Sequence, residues 1–178
     1  LKEAAEMAPA SARPLIDLAK LQNQLGQTQD AFQTILRLEK SAPQGMPLAA
    51  GLLAHIAQAT GQQPAALELL KASYAQTPSI DVIEAIVKLE IDSAAGRQWY
   101  VHHLERQASL VAAGKWIAGV RLEDEHHHAL VQRSLDHATK PLMRYRCAAC
   151  GFEATQHFWH CPGCQAWDSY PTRRIEEL

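Results

Sequence analysis

Up to about Thr139 the chain sets apolar against polar residues with a helical period. Leu15, Leu18, Gln22 and Leu25 follow one another at spacings of three and four, as do Ala31, Ile35 and Leu38. Gln22 is the polar lapse in the first stripe, and Leu67, Leu70 and Tyr74 mark one face of a later helix. The pattern then repeats. Gly26 and Gly61 are 35 residues apart, as are Ala31 and Ala66, Pro43 and Pro78, Leu18 and Leu53, and Ala19 and Ala54; Pro9 precedes Pro43 by 34. A period of this length describes stacked helical hairpins, each reading helix, Gly turn, helix, Pro. Glycine takes the left-handed conformation that closes the first helix, proline sits where the second must stop, and the repeated alanine lets two helices cross closely.

These positions resemble the tetratricopeptide repeat family in their small residues and prolines, although the large aromatics usual there are mostly missing. The units expected are a partial one at 1–9, which reads as the second helix of a repeat whose first helix is absent, then full ones at 10–44 and 45–79. A degenerate unit at 80–113 keeps Gly96 at the expected offset but loses the small residue and the Pro. Lys115 to Thr139 reads as one capping helix, within a segment 114–140 that covers the last apolar face of the stack. Pro141 can end that helix, which divides the chain into a helical part, 1–140, and a C-terminal module, 141–178.

The module differs in texture. Tyr145, Phe152, Phe158, Trp159, Trp167 and Tyr170 are six of the eleven aromatics in the chain, and all four cysteines lie there too. Composition bounds the rest. In 178 residues, 47% are apolar and 20% charged, which supports a core and rules out general disorder. Lys plus Arg number 17 against 19 Asp plus Glu, so the net charge of -2 leaves no basic footprint for nucleic acid or anionic lipid. Within the module, Arg144, Arg146, Arg173 and Arg174 balance Glu153, Asp168, Glu176 and Glu177. The longest apolar stretch, 47–59, is broken by His55 and falls short of the ~18–20 residues that span a bilayer. No signal peptide is visible, and a chain that starts at Leu1 reads as a piece of a longer protein.

The sharpest chemical motif is Cys147-Ala148-Ala149-Cys150, ten residues, then Cys161-Pro162-Gly163-Cys164. Each Cys-x-x-Cys turn places two thiolates on one side of a tight knuckle, and two facing knuckles make a sulfur tetrahedron suited to one zinc or iron ion. Zinc is the favoured structural ion. Gly151 stands where a left-handed residue lets backbone amides point at sulfur, and Pro162 preorganises the second knuckle. A module of this size cannot bury enough surface to fold unaided, so the ion is expected to be structural. Paired disulfides or buried free thiols are the bland alternative, disfavoured by the paired spacing and the missing secretion signal.

Tyr145-Arg146-Cys147, Cys150-Gly151-Phe152, Trp159-His160-Cys161-Pro162 and Cys164 followed by Trp167 resemble the C-terminal rubredoxin-type module of the lipopolysaccharide assembly protein B family. In that family tetratricopeptide repeats precede the metal ribbon, so the order of parts matches over the whole chain. The resemblance implies a mostly α fold, a tetratricopeptide-like solenoid followed by a small rubredoxin-like or zinc-ribbon β module. It implies a non-enzymatic adaptor that regulates lipopolysaccharide synthesis at the cytoplasmic face of a Gram-negative inner membrane. The partners it implies are a membrane-bound AAA+ protease and the lipid A pathway deacetylase whose degradation the adaptor promotes. A membrane anchor would lie in an N-terminal segment that this chain lacks.

Other candidates carry less. His126, His127 and His128 follow Glu123, Asp124 and Glu125, but consecutive helical residues point about 100° apart and cannot converge on one ion. Glu123 and His127 can share a face, yet a solvated helix face is the simpler reading. His102 and His103 diverge likewise. His157 and His160 lie in the ribbon loop, where four cysteines already suffice. Trp99, Tyr100 and Trp116 read as core between the last hairpin and the cap, or as a shelf on which the ribbon docks. No catalytic triad, paired carboxylates or phosphate loop stands out. Three function classes remain: the protein-binding adaptor, a rubredoxin-like electron carrier, and a nucleic-acid-binding zinc ribbon, the last disfavoured by the balanced charge.

Overall fold

In a computed structural model, which describes residues 1–120 and 125–178 and the backbone alone of 125 and 126, the chain is mostly helical and ends in a small two-stranded ribbon. Packing divides it into two compact units, Leu1–Ile91 and Asp92–Leu178, whereas composition changes at Pro141.

The first unit holds α1 (Lys2–Met7), α2 (Ala12–Gln24), α3 (Thr28–Ser41), α4 (Met46–Thr60), α5 (Gln63–Gln76) and α6 (Ile80–Leu89). Each helix from α2 to α5 packs on its successor, and α4 also packs on α6, as a stack of hairpins requires. Gly26 and Gly61 close α2 and α4 with φ of +75° and +70°, a conformation that costs other residues about 1–2 kcal/mol. The residues that repeat are core positions: Ala19, Ala54, Ala31 and Ala66 are wholly buried, and Leu18 and Leu53 are buried as well. Pro43 opens a 3-10 turn ahead of α4, and Pro78 falls between α5 and α6.

Gln22 belongs to the core after all. It is buried and accepts a 2.6 Å hydrogen bond from the Thr34 hydroxyl on the neighbouring helix, so the polar lapse has a polar partner. Leu25, expected on the same buried stripe, is instead 65% exposed, because α2 ends at Gln24 and Leu25 already belongs to the turn.

The second unit holds α7 (Ser93–Arg106), α8 (Leu110–Ala118), α9 (Glu125–Thr139), β1 (Tyr145–Arg146), β2 (Glu153–Ala154) and a final 3-10 turn, Ile175–Glu177. The expected third hairpin is divided between the units, α6 in the first and α7 in the second. Gly96 is not a turn residue. It lies buried inside α7, which begins earlier because the Asp92 carboxylate accepts the Ala94 N–H and caps it. Nor do residues 115–139 form one helix. α8 stops at Ala118, where Arg97 donates to the Gly119 carbonyl at 2.5 Å and so satisfies a terminal acceptor. α9 ends at Thr139, two residues before Pro141, as expected. Among the described residues no helix is long and apolar enough to cross a membrane.

Candidate metal centre

The strands β1 and β2 pair antiparallel, Tyr145 opposite Ala154 and Arg146 opposite Glu153, and carry the first knuckle at their connection. Within it the Cys147 amide donates to the Phe152 carbonyl and the Gly151 amide returns to the Cys147 carbonyl, both at 2.9 Å. The second knuckle repeats this wiring. The Cys161 amide donates to Ala166 and the Gln165 amide to the Cys161 carbonyl, again at 2.9 Å, with His160 and Trp167 forming an isolated antiparallel bridge beside it. Gly151 has the left-handed φ of +78° expected of it, and Gln165, its counterpart, adopts +60° without being a glycine.

The four sulfurs converge. Cys147 Sγ lies 3.8 Å from Cys164 Sγ, Cys150 Sγ 3.7 Å from Cys161 Sγ, and all four lie within 4.8 Å of one another. An ion bound at ~2.3 Å to four thiolates defines a tetrahedron with edges of ~3.8 Å; two of the S···S edges already have that length, and closing the others, which lie within 4.8 Å, brings all four sulfurs onto one metal. None of the four is in a disulfide. Cys147 and Cys161 are buried, whereas Cys150 and Cys164 are exposed, so one edge of the site faces the ribbon core and the other faces water.

The surroundings are built for thiolates. Ser169, whose Oγ is 3.2 Å from Cys147 Sγ, lowers the Cys147 thiol to about 6, assisted by the backbone N–H groups of Cys150 and Ala149 against the opposing effect of burial. Burial raises Cys161, but the N–H groups of Cys164 and Gly163 aimed at its sulfur outweigh it and leave the thiol below its ordinary value. Cys150 goes the other way. The Phe152 N–H lowers it, but hydrogen bonding with Cys164, burial, and hydrogen bonding with Cys147 and Cys161 together push it up to about 12. A metal bound by all four sulfurs must displace the proton that Cys150 is disposed to keep. Tyr170 closes the buried side. Its hydroxyl donates to the Phe152 carbonyl at 3.1 Å and lies 4.0 Å from Cys161 Sγ, and burial raises it to about 12.

The histidines of the module have other work. His157 packs edge-on against Tyr145, Trp159 and Tyr170, with Nε2 3.1 Å from the Tyr170 carbonyl, and His160 stacks on Trp167 at 4.5 Å. On α9, His127 is exposed while His128 Nε2 lies 3.2 Å from the Ile117 carbonyl, so these two do not converge either; Glu123 and Asp124 lie outside the described residues. Of the late aromatics, Tyr100 is core, Trp99 is half-buried with its ring edge-on to His102, and Trp116 is 36% exposed. Four residues near the centre or the tail were not singled out for these roles from the sequence: Ser169, Gln165, Glu176 and the fully buried His103. Only Gln165 was findable, as the position equivalent to Gly151 in the second knuckle.

Fold and site together define a helical protein ending in a rubredoxin-type ribbon with a four-cysteine metal site. Residues 145–170 match the family model described as a rubredoxin metal binding domain. The chain is similar to Lipopolysaccharide assembly protein B of Escherichia coli strains K12, O6:H1 and O157:H7, 50% identical to each over 36 residues. The matched stretch is 20% of this chain and 9% of the length of those relatives.

Proposed function

We propose that this chain is part of a non-enzymatic adaptor that controls lipopolysaccharide synthesis. In this reading the helical repeats hold protein partners, a membrane-bound AAA+ protease and the deacetylase of the lipid A pathway, and bring the second to the first for degradation. A segment outside this chain anchors the protein at the cytoplasmic face of the inner membrane. The observation that carries the reading is the ribbon. Its match to relatives named for lipopolysaccharide assembly ties the chain to that process, and four cysteines with fitted geometry leave an ion no open position for substrate. A closed site of this kind supplies stability, and its partners must therefore be recognised by protein surface.

The test is made with the full-length parent protein in its host. Depleting it raises the steady-state level of the deacetylase, wild type restores the level, and Cys147→Ser does not, while pull-downs from membranes recover the protease with wild type alone. A deacetylase level indifferent to depletion overturns the proposal. Metal analysis of protein purified without added zinc bears on the electron-carrier alternative: a red, reversibly reducible centre whose function is lost on zinc substitution would establish it.

A further inference from the structure

The last residues of the chain join the ribbon to the helices through one carboxylate. Glu176 Oε2 accepts the Ser109 hydroxyl at 2.8 Å and Oε1 accepts the Val111 amide at 2.9 Å. Ser109 is the N-cap of α8, and its Oγ also accepts the Ala112 amide at 2.9 Å, so the first orphan donors of that helix depend on this pair. The strap that presents Glu176 is fastened to the segment leading into the first knuckle. Ile175 N donates to the Arg144 carbonyl at 2.8 Å, and Glu176 N to the Leu142 carbonyl at 3.3 Å. The Arg174 guanidinium lies 4.1 Å from the centre of the Tyr145 ring, two residues before Cys147, and donates to the Met143 carbonyl at 2.6 Å.

We propose that Glu176 couples the state of the metal centre to α8. The strap has its register only while residues 142–146 have theirs, and a module this small keeps its register only with its ion. When the ion leaves, the anchor of the strap is lost, Glu176 withdraws, and the N-terminus of α8 loses both a charge-assisted acceptor and the orientation of its cap. The coupling is reciprocal, so removing the carboxylate also weakens metal binding. Nothing in this depends on which partners the helices recognise.

Amide hydrogen exchange at Val111 and Ala112, measured on the whole chain with zinc bound and after chelation, tests it. In wild type, chelation accelerates exchange at these two amides by about tenfold or more, the equivalent of ~1.4 kcal/mol of opening free energy. In Glu176→Ala they exchange fast with zinc bound and no longer respond to chelation, while cobalt substitution gives the tetrahedral thiolate spectrum of an assembled site and zinc is held less tightly. Glu176→Gln, which keeps the shape but not the charge, gives an intermediate response and serves if the alanine variant does not hold its fold. Protection at Val111 and Ala112 that is unchanged by chelation in wild type overturns the proposal, as does an undiminished response in both variants.

Discussion

Gly151 and Gln165 occupy the same place in two halves of one knuckle pair, and the physical requirement on both is a left-handed backbone. At Gly151 an added Cβ meets nothing within 4 Å, so Gly151→Ala bears only the conformational cost and should lower the stability of the metal-loaded module by about 1–2 kcal/mol. Gln165→Gly has the opposite sign. Strain relief exceeds the added entropy of the unfolded chain, for a gain of about 0.5–1 kcal/mol. Thermal unfolding of the two variants, zinc bound, measures both. Gln22 and Thr34 make a different prediction in the helical stack. Thr34→Val strands the buried Gln22 amide and costs about 1–3 kcal/mol, whereas Thr34→Val with Gln22→Leu recovers most of it; a urea-unfolding cycle in which the double variant is no better than the single one would refute this. Gln22 shows why single positions are hard to read from sequence. Its helical phase placed it inside, and only the partner twelve residues away explains why a polar group is acceptable there.

α7 and α8 meet the C-terminal strap around a buried histidine. His103 on α7 is fully buried, its Nε2 is 2.9 Å from the Gln107 amide nitrogen, and it takes up a proton less readily than an ordinary imidazole. Burial is the chief cause. Glu176 opposes it, and Arg106 and His102 reinforce it. Because the folded value lies below that of the unfolded chain, about 6.5, the unfolded state binds the extra proton first. The contribution to stability is complete above that pH and declines as the pH falls through the window below it. Metal-loaded wild type should therefore lose more stability than His103→Gln as the pH falls from 7.5 to 6, with denaturant midpoints as the measure; parallel pH profiles for the two proteins would contradict it. The elements themselves were legible to different degrees. α2 to α5 follow from a 35-residue repeat whose alanines and glycines recur for packing reasons. α7 and α8 do not, since a capping aspartate at Asp92 and an arginine donating to Gly119 moved the boundaries, and side chains acting at helix ends leave no periodic trace.

Across the whole molecule, the two compact units should respond differently to loss of the ion. Chelation, Cys147→Ser or Cys164→Ser should unfold the ribbon and expose residues 141–178 to proteolysis, while the helices of Leu1–Ile91 retain their far-UV signal and protease resistance. Cleavage spread evenly through both units would show that the ion supports the entire chain. The convergence of the four cysteines was legible, because two Cys-x-x-Cys knuckles are a local feature and local geometry brings each pair together. What surrounds the sulfurs was not, since Ser169 and Tyr170 reach them only after the chain has passed through the second knuckle and returned.

The residues taken in order determined the hairpin period, the four clustered cysteines and the left-handed position at Gly151, all of which depend on neighbours a few residues away or on a repeat of one unit. Tertiary structure alone decided that Gln22 has a buried partner, that Cys147 and Cys161 face inward while Cys150 and Cys164 face water, and that Glu176 caps a helix 65 residues earlier. These depend on which distant groups the fold brings into contact, and a hydrogen bond between distant residues imposes no pattern on the sequence between them.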